Sequence, residues 1–461
     1  MKLVSGIAII VLLLAAGALL FSHENNIAIG PAGSVSANAN ANANVNTTTG
    51  VASSSSSSTP AAAQPVAVNA APSQSANDLP PQPQLANPPA IAKGIYLTGW
   101  SAGSASKVAS TINLIKSTEL NAVVVDIKDY SGYVSYAMDV PMARAIGAEN
   151  EIRIARPNAL IKELHDNGIY VIGRITDFQD PILAKAHPEW ALRNKTTGGV
   201  WTDNKGLSWM DPAAQPVRDY LAAITKDAFV RGFDEVQFDY IRFASDGSIG
   251  NISYPYWNGK TPMATVIASY FKFLREQFPT QKLSADLFGL ATVNNDDLGI
   301  GQVIQSAYEY FDYVSPMVYP SHYATGFLGY KKPASYPYEV IRYSLEHGLA
   351  KLLAMGNSNS TAPAANGAAS GTANASGTSA SGTAPAAKYS QFNLGYIPNS
   401  KLRPWLQDFD LNGVPYTAAM VRKEKQAVYD VLNTASSNQY YGGWLLWDAA
   451  NTYTTGALDP K

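Results

Sequence analysis

Between Gly94 and Ala449, short apolar runs rich in β-branched and aromatic residues alternate with stretches whose apolar positions recur at helical spacing. Eight runs read as strands: GIYLTGW from Gly94, AVVVDIKD from Ala122, YVIGRITDF from Tyr170, EVQFDYIRF from Glu235, KLSADLFG from Lys282, FDYVSPMVYP from Phe311, LRPWLQDF from Leu402 and GGWLLWDA from Gly442. Helical patterns fit between several of them, over Lys107 to Ser117, Asn158 to Asn167, Val217 to Arg231, Met263 to Phe278 and Ala418 to Asn433. This alternation predicts an α/β protein, a closed (β/α)8 TIM barrel over residues 91–461. An open doubly wound sheet is the alternative, but neither a GxGxxG nor a GxxxxGK[ST] loop follows the first strand.

Two other patterns flank or interrupt the barrel. Residues 1–25 carry Lys2 ahead of an unbroken run, weakly polar to apolar, that ends at Phe21 and reads as a membrane-directing segment. It is either a signal anchor or a signal peptide; the anchor is favoured because Leu19, Leu20 and Phe21 directly follow the small-residue pattern Ala16-Gly17-Ala18. Residues 26–90 are Ala, Asn, Ser, Thr, Gln and Pro in low-complexity runs, too poor in large apolar side chains to offset ordering entropy, and are expected to form a disordered stalk. The tract 357–387 has the same composition and is expected to be a disordered insertion in the barrel. The expected location is extracytoplasmic, with the membrane as a partner through the N-terminal segment.

Composition narrows the chemistry. A net charge of -2 with 15% charged residues leaves no basic footprint for nucleic acid. The absence of Cys removes disulfides, thiolate metal sites and a thiol nucleophile. The five His show no paired ligand spacing and no GxSxG elbow follows a strand, so neither a metal or other cofactor nor a serine nucleophile is expected. Carboxylate chemistry is the economical remainder.

Polar residues at the C-terminal ends of barrel strands carry the most functional weight. Asp239, flanked by Phe238, Tyr240, Ile241 and Phe243, is costly to bury without a purpose or a partner such as Arg242. Asp286, on the next strand, is expected beside it, since neighbouring strands lie about 4.8 Å apart. Two carboxyls about 5 to 5.5 Å apart suit a retaining glycosidase. Strand alternation groups Asp126 with Lys128, Arg174 with Thr176, Gln237 with Asp239, Ser284 with Asp286, Met317 with Tyr319 and Leu446 with Asp448. Asp239 and Asp286 are therefore the candidate catalytic pair. Asp126, Lys128, Arg174, Asp177, Arg242, Tyr319, His322, Trp444 and Asp448 are candidate substrate contacts, with ion pairs or turn caps as alternatives for the charged ones. With 26 Tyr and 8 Trp against 14 Phe, many near strand ends, the aromatic content favours a groove for sugar rings, walled by the loop Asp246 to Lys260.

The strings FDYIRF and MVYPSHY, with GIYLTGW, VVVDIKD, GRITDF, SADLFG and GGWLLWDA, resemble the glycosyl hydrolase barrel family designated domain of unknown function 4015. The resemblance covers roughly Lys93 to Leu458 apart from the inserted tract. Ala244 stands where Pro is common, a departure that bears on the following loop more than on the carboxylate. The resemblance implies a (β/α)8 fold and hydrolysis of glycosidic bonds. By analogy of strand position, Asp239 resembles the nucleophile and Asp286 the acid/base, and the reverse assignment stays open. The expected substrate is a cell-wall or exopolysaccharide glycan; the alternative is a non-catalytic polysaccharide-binding or envelope-assembly protein on the same scaffold.

Overall fold

The structure, a computed structural model, describes residues 77–360, 399–411 and 413–461. The N-terminal apolar run, the expected stalk as far as residue 76 and the expected insertion from residue 361 lie outside the described residues. Among the described residues, no helix is long and apolar enough to cross a membrane.

All eight expected strands form: β1 (Ala92–Leu97), β2 (Ala122–Lys128), β3 (Tyr170–Thr176), β4 (Glu235–Asp239), β5 (Lys282–Phe288), β6 (Tyr313–Met317), β7 (Lys401–Leu402 and Trp405–Gln407, interrupted at Arg403 and Pro404) and β8 (Gly443–Trp447). They pair in parallel in chain order, and β7 closes the circle between β6 and β8, with Trp405 opposite Met317 on one side and opposite Leu445 on the other. A helix fills each of the seven intervals: α1 (Ala105–Ser117), α2 (Pro157–Asp166), α3 (Gln215–Arg231), α4 (Met263–Gln277), α5 (Ile304–Tyr310), α6 (Pro337–Ser360) and α7 (Ala418–Leu432). Of these, α5 and α6 were not among the expected helices, and α6 runs on through the first four residues of the expected insertion. Among the described residues no eighth long helix follows β8; Ala457 and Leu458 bury themselves against the barrel there, and Pro460 bridges to Thr118.

Strands covered on both sides are apolar throughout, and every residue of β2 and β3 is buried. The side chains facing α1 to α7 join the large outer core, while Ala92, Tyr96, Ala122, Val124, Tyr170, Ile172, Tyr319, Trp405 and Leu445 pack inside the barrel. The lower interior also holds a fully buried ion pair, Arg403 with Glu235. Ser284 Oγ donates to Glu235 Oε1 at 2.5 Å and Tyr170 Oη to Oε2 at 3.2 Å, so both carboxylate oxygens are satisfied.

Residues 78–85, the far end of the expected stalk, are laid along the barrel as a strap. Asp78 accepts from the backbone N–H of Asn158 and Ala159 at 3.0 and 3.1 Å, capping α2. Gln82 N donates to Arg231 O at 3.1 Å, Gln84 Nε2 to Phe233 O at 2.9 Å and Leu85 N to Asp234 Oδ1 at 2.6 Å. Gly232, the left-handed C-cap of α3 at φ 108°, admits the strap because a Cβ there would stand 2.4 Å from Gln82 O. Leu85 then packs onto the interior cluster.

Candidate active site

Each of the eight strands delivers one side chain to the C-terminal mouth. These are Tyr96, Asp126, Arg174, Asp239, Asp286, Trp405 and Trp447 from β1 to β5, β7 and β8, and Tyr319 two residues beyond β6. The β4–β5 register pairs Gln237 with Ser284 and Phe238 with Ala285, which sets Asp239 and Asp286 side by side as expected.

Arg174 organises the cluster. Its Nη1 donates to Asp126 Oδ1 at 2.6 Å, its Nη2 to Asp239 Oδ2 at 2.6 Å, and its Nε lies 3.8 Å from Asp286 Oδ2. Sharing one guanidinium draws all three carboxyls into one cluster. The guanidinium also lies 5.2 Å from the Trp447 ring centre and 5.7 Å from that of Tyr96. Those two rings stack at 4.0 Å, and Trp405 meets Trp447 edge-on at 5.5 Å.

The carboxyls differ in how they are held. Asp239 accepts from Arg174 and from the Tyr240 backbone N–H at 2.6 Å, the latter made by a Tyr240 in the left-handed region at φ 55°. Asp286 Oδ1 accepts from Trp405 Nε1 at 2.8 Å, whereas its Oδ2 has no hydrogen-bond partner among the described residues. Burial, and then the Asp239 charge beside it, pushes the Asp286 pKa well above the usual carboxylate value. Burial lifts Asp126 to about 6, against the pull of Arg174 and a 2.5 Å hydrogen bond from Tyr96 Oη. Three carboxyls share one cation here, and burying an unbalanced ion costs several kcal/mol, so retention of protons is the physical response.

Tyr319 and His322 also face this mouth. Burial, then the charges of Asp286 and Asp239, raises the Tyr319 pKa, keeping its hydroxyl protonated. His322 meets Tyr319 edge-on at 5.1 Å; burial lowers its pKa to about 4, and its Nε2 has no hydrogen-bond partner among the described residues. Arg242 does not neutralise Asp239, a role Arg174 takes. It sits on the rim between the rings of Trp209, Tyr240 and Phe288, with Nη1 donating to Ser245 Oγ at 2.6 Å.

Four candidate contacts fall elsewhere. The β2–β3 register slips between Asp126 and Lys128, and Lys128 turns to Thr176 O and to Asp180 at 3.1 Å. Asp177 accepts from Tyr270 of α4 at 2.8 Å, in the layer between barrel and helices. The alternation assigned to β8 is one residue out of phase: Leu445 and Trp447 face inward, while Leu446 joins the outer core and Trp444 donates from Nε1 to Tyr429 of α7. Asp448 caps its own turn, accepting from Ala450 N and Thr452 N. In the loop Asp246 to Lys260, Tyr254 and Trp257 pack on Phe243 and on each other, and Tyr256 alone of its aromatics is exposed. Missing from the expected site were Tyr96, Trp405 and Trp447. Alternation with Gly94 along GIYLTG is a signal that could have found Tyr96, Trp447 was hidden by the phase of β8, and for Trp405 no comparable signal existed, because Pro404 breaks its strand.

A closed parallel barrel with paired carboxyls at its C-terminal mouth is the architecture of barrel glycosidases. The chain belongs to the family described as "Putative glycosyl hydrolase domain" (domain of unknown function 4015), whose model matches residues 94–363. A hypothetical protein from Ruminiclostridium thermocellum ATCC 27405 is 39% identical over 44% of this chain and 98% of its own, with a TM-score of 0.39. The PgaB (BpsB) glycoside hydrolase domain from Bordetella bronchiseptica shares the fold at 10% identity, a TM-score of 0.50, and coverage of 78% of this chain and 95% of that one. No curated protein matches the chain.

Proposed function

We propose that the chain hydrolyses glycosidic bonds of an extracytoplasmic polysaccharide, of cell-wall or exopolysaccharide type, with retention of configuration. Placement of Asp239 and Asp286 on adjacent strands supports retention, and the asymmetry of the pair on Arg174 is the observation that carries the division of roles. Asp239 has both oxygens engaged by a guanidinium and a backbone N–H, the surroundings of an ionised nucleophile. Asp286 has one oxygen fixed as an acceptor and the other free to carry a proton. Two carboxyls held in such different ways can divide the roles of nucleophile and acid. Asp286 Oδ2 gives its proton to the glycosidic oxygen as Asp239 bonds to the anomeric carbon and the aglycone leaves. Asp286, now ionised, takes a proton from water, whose oxygen displaces Asp239 from that carbon. Asp126 and Tyr96 orient Arg174, and Tyr319, Trp405 and Trp447 supply aromatic walls. The apolar N-terminal run supports placement at a membrane surface, as anchor or cleaved signal.

The test is to incubate the chain with a panel of envelope and secreted polysaccharides and to identify released reducing ends by mass. Wild-type protein is expected to cleave a panel member, and Asp239→Asn and Asp286→Asn to lose that cleavage. Full activity in either variant, or binding of a glycan without turnover by wild type, contradicts the reading.

A further inference from the structure

Of the eight Trp, all within the described residues, only Trp100 is exposed, at 61%. It lies three residues beyond β1, on the same end of the barrel as the carboxyl cluster, in a short helix that Thr98 caps. An exposed indole loses the stabilisation that burial of so large an apolar side chain provides. Its ring is nevertheless held in place. The Arg153 guanidinium lies 5.4 Å from the ring centre, and that side chain is itself buried and paired with Asp129 and Glu151.

Beside the indole is a hollow of about 450 Å³, lined by Trp100, Ser101, Ser104, Ser106, Lys107, Ser110 and Ala450. It is shallow and open to solvent, so it offers one face to a ligand and does not enclose it. Its chemistry is that of a sugar contact: one aromatic face for the CH side of a pyranose, with serine hydroxyls and an ammonium for the ring hydroxyls. The hollow is also tied to the mouth. Lys107 Nζ donates to Asn451 O at 2.5 Å, and Asn451 Nδ2 donates to the backbone oxygen of Tyr96 at 3.1 Å; Tyr96 is the residue stacked on Trp447 inside the cluster.

We propose that this hollow is an outer saccharide subsite, in which Trp100 stacks on a pyranose unit of a glycan whose cleaved linkage lies at the mouth. The proposal deepens the hydrolase reading and rests on it for the direction of the chain. A unit bound here adds affinity only for substrates long enough to reach from the mouth past β1 and β8. Trp100 is a specificity residue, remote from the reacting bond.

The test uses fluorotryptophan-labelled full chain carrying Asp239→Asn, followed by fluorine NMR, with Trp100 assigned through Trp100→Phe. Asp286→Asn provides the same measurement in a second background. The probes are the hexasaccharides and disaccharides of cellulose, chitin, xylan and mannan. At least one hexasaccharide is expected to move the Trp100 and Trp447 resonances together, its disaccharide to leave Trp100 unmoved, and Trp100→Ala to weaken the hexasaccharide about tenfold. Movement of Trp447 without Trp100 overturns the outer subsite and leaves the hydrolase reading standing. Movement of Trp100 alone upholds a saccharide site here and counts against the mouth. Absence of any Trp100 movement across the panel overturns the proposal.

Discussion

In the lower half of the barrel one guanidinium meets one carboxylate, whereas at the mouth one guanidinium meets three. Glu235 and Arg403 balance in charge, and the remaining acceptor capacity of Glu235 is taken up by Ser284 and Tyr170. Around Arg174 the charges do not balance; among the described residues the guanidinium Nε lacks a hydrogen-bond partner in both places, but of these carboxylates only Asp286 has an oxygen, Oδ2, left without one. A buried carboxylate with both oxygens bonded and its charge matched holds strands in place, whereas carboxyls that outnumber their cation have raised pKa values and mark a candidate site.

The largest effect expected from breaking this contrast is on activity. Asp239→Asn should lower the rate of glycan cleavage about 10,000-fold, some 5 kcal/mol in the barrier, while its urea midpoint stays equal to or above that of wild type. In the lower layer the outcome should invert. Glu235→Ala leaves Arg403 buried and unpaired and should cost about 4 kcal/mol in urea unfolding, with the folded fraction retaining its specific activity, and Glu235→Met with Arg403→Leu should recover most of that loss.

Protonation sharpens the comparison further. Asp126 is raised to about 6 by burial, above its value in an unfolded chain. The stability it contributes is therefore fully present below the unfolded value near pH 4 and is lost as pH rises through about 6. Asp126→Asn should remove about 3 kcal/mol of that pH dependence, seen as a smaller fall in urea midpoint between pH 4 and pH 7 than in wild type. Asp286, also raised, must hold its proton to act as acid, so cleavage should decline with rising pH as that proton is lost. The smallest effect lies outside both layers: Asp78→Ala removes the cap that the strap places on α2 and should cost about 1 kcal/mol in urea unfolding with no change in activity.

Much of this was legible from residue order. Barrel strands are covered on both sides, so they read as continuous apolar runs, and all eight were visible, as were five of the seven long helices. The same property hides which face points inward. Alternation placed Asp126, Arg174, Asp239, Asp286 and Tyr319 correctly because a charged or hydroxyl group broke each run at the mouth. It failed on β8, where Trp444 and Trp447 are equally large and only packing against Tyr429 or Tyr96 separates them. It failed for Lys128 because the register slip beside Ile127 is a property of the paired strands and not of either alone. The strap lacks any periodic pattern; its order comes from bonds to Arg231, Phe233 and Asp234, some 150 residues away in the chain.

The central claim is the division of roles between Asp239 and a protonated Asp286, and infrared difference spectroscopy of the carboxyl groups reads the state of Asp286 without any substrate. Wild type minus Asp286→Asn at neutral pH should show a protonated carboxylic acid band, and in Asp239→Asn the remaining Asp286 band should titrate at lower pH, since the neighbouring charge has gone. A difference spectrum showing an ionised carboxylate for Asp286 at neutral pH would contradict the account.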